Sequence, residues 1–403
     1  MTKEDETSSG NQEEVPNFKE DIPQKTPSKI IAKRHPDTLV IGDKDAEEEV
    51  YMEQLEGFES SEYTDHVYRL KKALYGLKQA PRVWYSRLDS HLISKGFTKG
   101  NVDSTLYTKV VSNDLLAIEI YVDDIIFGST NDELSQSFST IMKSKFEMSM
   151  LGPLSFFLGI QVSQLEHGLF ISQTKYAKEM LKRFQMDQCT HVGTPMETGC
   201  KLVKVDDSPL VDQSKYRSMV GSLLYLTASR LDLMQAVCLV SHYQSAPRQS
   251  HLNVVTRIFK YIQGTLDFGL WYPKHGDFTL IGYTDADWGG CIDDQHSTSG
   301  AAFFLGDRLV SWHSKKQDCV TLSTAESEYI ATTACYTQML WMSYQLADLG
   351  VFLRDQVTAN EIILVHVSSQ AQVADIFTKA LPKDTFMRLR DRLGVYSQSF
   401  IST

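Results

Sequence analysis

Two adjacent aspartates, Asp123 and Asp124 in the run Tyr121-Val122-Asp123-Asp124, carry the plainest chemical potential in this chain. Apolar runs flank them, Leu115-Leu116-Ala117-Ile118-Glu119-Ile120 before and Ile125-Ile126-Phe127 after. Two strand-like runs joined by a short acidic tip predict a β-hairpin. Neighbouring carboxylates repel each other. A hard dication, most simply Mg²⁺, removes that conflict and would make the tip a phosphate-handling device. Taken alone, the pair reads first as a solvated turn, because Asp tolerates turn geometry.

Its surroundings shift the balance. Nucleotidyl transfer needs carboxylates for metals, positive groups for phosphates and a surface for a base pair. Lys71, Lys72, Lys78 and Arg82, the last two within Lys78-Gln79-Ala80-Pro81-Arg82, could supply the positive charge. Each by itself reads equally as part of a solvated helix face. A second constellation is Asp285, Glu326 and Asp375: Asp285 ends a predicted strand, Glu326 opens a predicted helix and Asp375 lies in the last predicted helix. They can meet only in a folded domain. Glu326 has a competing explanation, since Ser323-Thr324-Ala325-Glu326 is a capping box. Asp287, beside Trp288, reads as a turn residue, and His296 and His313 as surface or sheet histidines.

The elements that must position these residues follow from periodicity. Pro81 suits a first helical turn, Trp84, Leu88 and Leu92 recur at helical spacing, and Gly96 stops the run. Leu106-Tyr107 and the acidic hairpin read as strands. Asn131 or Asp132 can cap a helix carrying Leu134, Phe138, Ile141 and Met142. Leu158-Gly159-Ile160-Gln161-Val162 reads as another strand. Residues 166–275 read as mostly helical, with faces Tyr176/Met180/Phe184, Tyr216/Val220/Leu223/Leu224 and Val255/Ile258/Phe259/Ile262. From Phe278 three strands follow, within 280–285, 301–305 and 309–312. A helix from Ala325 to about Leu346, a strand over 361–367 and a helix around 373–381 complete the reading. The class is α+β.

Composition narrows the function classes. The 403 residues leave room for two or three domains. A net charge of −11 argues against a protein built only to coat nucleic acid. The six cysteines are scattered without a C-x-x-C pair, which argues for reduced thiols and against a zinc cluster. Neither a signal peptide nor a membrane span is legible, so an intracellular protein, in cytoplasm or nucleus, is expected.

With these residues in view, residues 49–392 closely resemble the C-terminal part of copia-type LTR retrotransposon polyproteins, reverse transcriptase followed by ribonuclease H. The matching stretches are Glu49 to Gln54, Leu74 to Arg82, Tyr121 to Asp124, Tyr216 to Arg230, Tyr283 to Trp288, Ser323 to Tyr329 and Ala374 to Lys379. The resemblance implies a polymerase palm whose metal-binding pair is Asp123 and Asp124. It implies that Lys78, Gln79 and Arg82 border the incoming nucleotide and that Leu158 and Gly159, with Ile160, belong to the turn that grips the primer end. It makes Asp285, Glu326 and Asp375 three of four metal-binding acids of a ribonuclease H site. Mg²⁺ or Mn²⁺ would be the cofactor; RNA template, DNA primer, RNA–DNA hybrid and dNTP would be the partners.

The implied layout is a disordered acidic linker (1–45), a partial palm of antiparallel sheet with helices and no fingers (46–165), a helical thumb or connection (166–275), a ribonuclease H-like mixed α/β domain (276–392) and a tail (393–403). Two departures stand out. Ile41-Gly42-Asp43-Lys44-Asp45 runs almost directly into Glu47 to Met52, where the family has its fingers and a further Asp-bearing strand; Asp43 and Asp45 sit in polar sequence. Leu349-Gly350-Val351 passes straight to Phe352 to Val357, where the family has a central strand ending in the third acid, and Asp355 matches a helical position. Leu231 stands where Pro is usual. The expectation is therefore a catalytically degenerate reverse transcriptase and ribonuclease H fragment. The rivals are a non-catalytic nucleic-acid-binding remnant, using Lys71, Lys72, Lys78, Arg82, Lys315 and Lys316, and an unstable relic.

Overall fold

The computed structural model describes residues 40–41, 51–54, 57–69, 80–350 and 362–401. Lys71, Lys72, Lys78, Gln79, Asp43, Asp45 and Asp355 lie outside them, as does nearly all of the expected acidic linker. The chain divides into two units, residues 1–90 and 91–403.

In the first unit, β1 (Val40–Ile41), β2 (Tyr51–Met52) and β3 (Val67–Arg69) form a sheet in the order β1-β3-β2. β3 runs parallel to β1 and antiparallel to β2. The unit boundary falls inside α1 (Ala80–Ser94), whose Leu88 and Leu92 are fully buried, as their spacing predicts.

The second unit opens with an antiparallel sheet of β4 (Thr98–Lys99), β5 (Leu106–Val111), β6 (Asp114–Tyr121) and β7 (Asp124–Ser129), in that order. Strict alternation in β6 buries Leu116, Ile118 and Ile120 and leaves their neighbours less covered, the period of a half-buried strand. Helix α2 (Asp132–Lys145) starts where Asn131 accepts the backbone N–H of Glu133 at 2.9 Å. Its Phe138 packs edge-on against Phe97 and Phe127 and closes one face of the sheet.

A second antiparallel sheet joins β8 (Phe156–Phe157), β9 (Ile160–Leu165), β10 (Gly168–Ser172), β11 (Phe268–Pro273) and β15 (Val395–Ser397), in the order β15-β11-β10-β9-β8. Between β10 and β11 lie α3 (Thr174–Arg183), α4 (Gln213–Leu226), α5 (Met234–Ser241) and α6 (Gln249–Gln263). The connector is thus helical but bounded by strands. Its predicted faces are buried at Met180, Tyr216, Val220, Leu223, Val255, Ile258, Phe259 and Ile262; Leu224 is exposed instead. Leu231 is fully buried at the start of a 3₁₀ turn, Leu231–Leu233.

The third sheet is β12 (Leu280–Asp287), β13 (His296–Leu305) and β14 (Arg308–Val320), all antiparallel. Helix α7 (Thr324–Asp348) packs on one face through Cys335, Met339 and Met342 against Ala301 and Phe303. On the other face, Ala302, Phe304 and Leu309 join the same core as the connector helices, with Val373, Ile376 and Phe377. After a 3₁₀ segment at Val373–Phe377 come α8 (Lys383–Arg392), β15 and α9 (Gln398–Ile401).

Several expectations are corrected. Leu158 and Gly159 are not strand residues: both have positive φ, +49° and +78°, and form the turn between β8 and β9. The helix expected around 373–381 is a short 3₁₀ segment, ended before Pro382. The strand expected over 361–367 does not form among the described residues 362–367; Ile363, Leu364 and Val365 stand exposed with no sheet neighbour. Residues 395–397 of the expected tail are a strand, tied to β11 by Phe268↔Ser397 pairing.

Candidate active sites

The acidic hairpin is a two-residue turn. Tyr121 pairs with Asp124 across β6 and β7, leaving Val122 and Asp123 as the loop. Val122 has φ +57°, a region that suits Gly and strains a β-branched residue. Such strain costs on the order of 1–3 kcal/mol and is found where a site fixes the backbone. Asp123 and Asp124 are both exposed. Tyr121 meets the ring of Phe157 edge-on, with centroids 6.2 Å apart, so the tip stands beside the Leu158–Gly159 turn. That turn is held by α4: the Tyr225 hydroxyl donates to the Leu158 carbonyl. A Cβ at Gly159 would collide with that hydroxyl, so glycine is required here by close approach as well as by φ. Arg82 is exposed near the start of α1 and belongs to the first unit.

The second group forms at the end of β12. Asp285 is 9% exposed and faces the 3₁₀ segment. Thr378 Oγ1 donates to its Oδ2 at 2.5 Å. Lys379 Nζ lies 3.6 Å from Asp285 Oδ2 and 3.1 Å from Asp375 Oδ1. Burial, then the charge of Asp285, raises the pKa of Asp375. Burial opposes charge on Lys379, but Asp285 and Asp375 outweigh it and hold its pKa above the ordinary lysine value.

Glu326 does not join this group. It stands exposed at the third position of α7, where its carboxylate accepts the Leu322 N–H at 2.6 Å while Ser323 Oγ accepts the Glu326 N–H at 3.2 Å. Ser323 thus caps the helix as in a capping box, while Glu326 reaches one residue past the N-cap, to Leu322, instead of the Ser323 N–H. Two residues on, Glu328 points the other way, because i and i+2 on a helix face apart. Burial and the charge of Asp285 raise its pKa, and a hydrogen bond from the Ala286 backbone offsets part of that. Asp287 is raised by burial too, and Lys379 and Lys201 pull it back. The signal for Glu328 was in the sequence: Glu328, Ala331 and Cys335 make one i, i+3, i+7 stripe, and Ala331 and Cys335 are buried.

Among the described residues no group of three or more His, Cys, Asp or Glu side chains is arranged to hold a metal. An ammonium already sits between Asp285 and Asp375. The residues present, as arranged, do not fit the two-metal site that the resemblance implies.

Comparison with known proteins places the chain. The reverse transcriptase (RNA-dependent DNA polymerase) family profile matches residues 40–198. The Pol polyprotein from transposon RE2 of Arabidopsis thaliana is 34% identical over 384 residues, 86% of this chain and 26% of that one. The Pol polyprotein from transposon TNT 1-94 of Nicotiana tabacum is 33% identical over 398 residues, 88% of this chain and 30% of that one. The chain belongs to the copia-type retrotransposon Pol family. An uncharacterized mitochondrial protein of Arabidopsis thaliana is 35% identical over 224 residues, 56% of this chain and 93% of its own. The chain spans between a quarter and a third of these two transposon polyproteins. No solved structure matches. Within this Pol-family chain, the hairpin and the turn beside it fall inside the stretch matched by the reverse transcriptase profile, and Asp285, Glu328 and Asp375 fall outside it. No helix of the described residues is long and apolar enough to cross a membrane.

Proposed function

We propose that this chain is a reverse transcriptase and ribonuclease H remnant of a retrotransposon, related to enzymes that copy RNA into DNA and remove the RNA strand, and catalytically silent itself. In this reading residues 46–165 derive from a palm, 166–275 from a thumb or connection and 276–392 from a ribonuclease H domain. Asp123 and Asp124 are the inherited palm carboxylates, with Lys78, Gln79, Arg82, Leu158 and Gly159 inherited from the nucleotide and primer side. Asp285, Asp375 and Glu328, the last in place of Glu326, are the inherited cleavage acids.

The observation that carries silence is the combination at β12. Acids from three elements approach one strand end, yet among the described residues they assemble no metal-holding group of three. Among the described residues the third sheet also consists of β12, β13 and β14 alone, with β12 at its edge. That fits loss of the central strand expected beside it. Two-metal chemistry needs both metals clamped by bridging carboxylates, so a missing acid weakens binding and positioning together. Mg²⁺ or Mn²⁺ would otherwise have activated water at such acids. RNA template, DNA primer, hybrid and dNTP remain partners of the ancestral enzyme in this reading.

Nucleic-acid binding without catalysis gains little support. Lys315 pairs with Asp318 at 3.4 Å and Lys316 with Asp294 at 2.5 Å, so neither is a bare phosphate contact. The test is primer extension on an RNA template and cleavage of an RNA–DNA hybrid, with Mg²⁺ or Mn²⁺, for the purified chain beside Asp123→Asn and Glu328→Gln. We expect no product above either variant. Extension lost in Asp123→Asn, or cleavage lost in Glu328→Gln and kept in Glu326→Gln, would sink the silent reading.

A further inference from the structure

We propose that Lys379 is the resident cation of the Asp285–Asp375 pair, so that the chain neutralises these carboxylates itself and a divalent metal can enter only by displacing the lysine. The ammonium lies 3.1 Å from Asp375 and 3.6 Å from Asp285, in the gap between the two carboxylates. Two further acids look toward the same region. Asp287 feels the charges of both Lys379 and Asp285, and Glu328 those of Asp285, Lys379 and Asp375. One ammonium therefore serves a strongly negative corner, with Lys201 adding a smaller pull at Asp287.

The position of the lysine is built in rather than incidental. Ile376 and Phe377 are buried and anchor the segment that carries it. Gly300 on β13 lets that segment approach, since a Cβ there would stand 2.8 Å from Phe377 Cβ and Thr378 Cγ2. Thr378, the residue before, is hydrogen-bonded to Asp285 Oδ2 and to the Asp375 carbonyl. The backbone thus delivers Lys379 to the pair through packing and through Thr378. A hard dication prefers carboxylate oxygens but is repelled by an ammonium in van der Waals range of the same oxygens. The Lys379 side chain is 43% exposed, so it can swing into water and yield the place.

The proposal deepens the silent reading and rests on the same acids, but it is tested without nucleic acid. Mn²⁺ binding is followed by electron paramagnetic resonance on the full chain, as wild type, Asp285→Asn, Lys379→Met, Lys379→Arg, Lys379→Arg/Asp285→Asn and Lys379→Met/Asp285→Asn. Signal that Asp285→Asn leaves untouched belongs to other acids, including Asp123 and Asp124. Wild type and Lys379→Arg should show no Asp285-dependent Mn²⁺. Lys379→Met should gain it, with affinity tighter by about tenfold or more. Lys379→Met should also melt below wild type in EDTA and recover when Mn²⁺ is added.

An Asp285-dependent Mn²⁺ site in wild type that Lys379→Met leaves unchanged would overturn the proposal, as would a folded Lys379→Met that gains none. If Lys379→Met does not fold, Lys379→Met/Asp375→Asn removes the repulsion and should fold; failure there would refute the charge account. Hybrid cleavage by a wild type that takes up no Mn²⁺ in the absence of nucleic acid would refute silence and leave the lysine's role standing.

Discussion

Arg230 and Asp232 are a charged pair taken wholly out of water, their side chains 2% and 0% exposed. The guanidinium grips the carboxylate twice, at 2.9 and 2.8 Å, and donates also to the Thr265 carbonyl and hydroxyl. The Tyr261 hydroxyl donates to Asp232 at 2.7 Å. Burial opposes both charges, yet the pair holds Arg230 above and Asp232 below their ordinary pKa values. Breaking such a pair on one side strands the other charge, at a cost of roughly 3–5 kcal/mol. Arg230→Met should therefore lose that much in urea unfolding, and Arg230→Met/Asp232→Asn should lose less than the sum of the single changes; a single-variant loss below about 1 kcal/mol would contradict this. At this scale the sequence was legible where a residue's partner is local. The helix-start role of Ser323 was readable from four residues, while the partner of the Glu326 carboxylate, the Leu322 N–H, lies one residue before them. The convergence of Glu328 on Asp285 depends on a strand about forty residues earlier in the chain, and only the helical stripe hinted at it.

At the scale of elements, glycine positions separate packing from propensity. Gly300 admits the segment bearing Thr378 and Lys379, and a Cβ there would also stand 3.0 Å from the Ala374 carbonyl. Gly300→Ala should cost about 1–3 kcal/mol, because the segment must shift as a body. Gly221, exposed within α4, has open space around it. Gly221→Ala should raise stability by about 0.4–1 kcal/mol through lost freedom in the unfolded chain. Opposite signs in thermal melts would bear this out; two losses would mean that the contact geometry is wrong. Regular elements were legible because their burial is periodic: β6, α2 and α6 bury the residues their spacing marks. Irregular ones were not. Leu158–Gly159 reads as apolar strand text, but α4 presses Tyr225 against it and forces a turn. Ile363-Leu364-Val365 has strand composition but, among the described residues, pairs with no strand, and a strand's backbone groups need a partner.

At the scale of the molecule, the second unit is held together across long sequence distances. The connector helices, one face of the third sheet and the C-terminal segments share a single core. Asp348 ties the sheet that carries the acidic hairpin to the third sheet's helix. Asp348, at the end of α7, accepts the Asn101 backbone N–H at 2.7 Å, the Asn101 side-chain N–H at 2.7 Å and the Val102 N–H at 3.0 Å. A carboxylate at a helix C-terminus opposes the helix dipole, so these donors must outweigh an unfavourable location. Burial would raise its pKa, but the Val102 and Asn101 donors prevail and hold it below the usual carboxylate range. A depressed carboxylate stabilises only while ionised. The latch is therefore fully engaged above the ordinary Asp value, about 3.9, and is lost as pH falls through the lower folded value. Amide hydrogen exchange at Asn101 and Val102 should accelerate on acidification relative to the intrinsic rate. In Asp348→Ala it should be fast already at neutral pH and show no such added acceleration. Exchange in β12–β14 should not follow, because the latch lies at the far end of α7 from Ser327, Ala331 and Cys335, its buried residues. Equal protection of Asn101 and Val102 in wild type and Asp348→Ala would show that the hairpin sheet is anchored to the rest of the unit by other means, and that α7 does not couple the Asp123–Asp124 tip to the acids around Asp285.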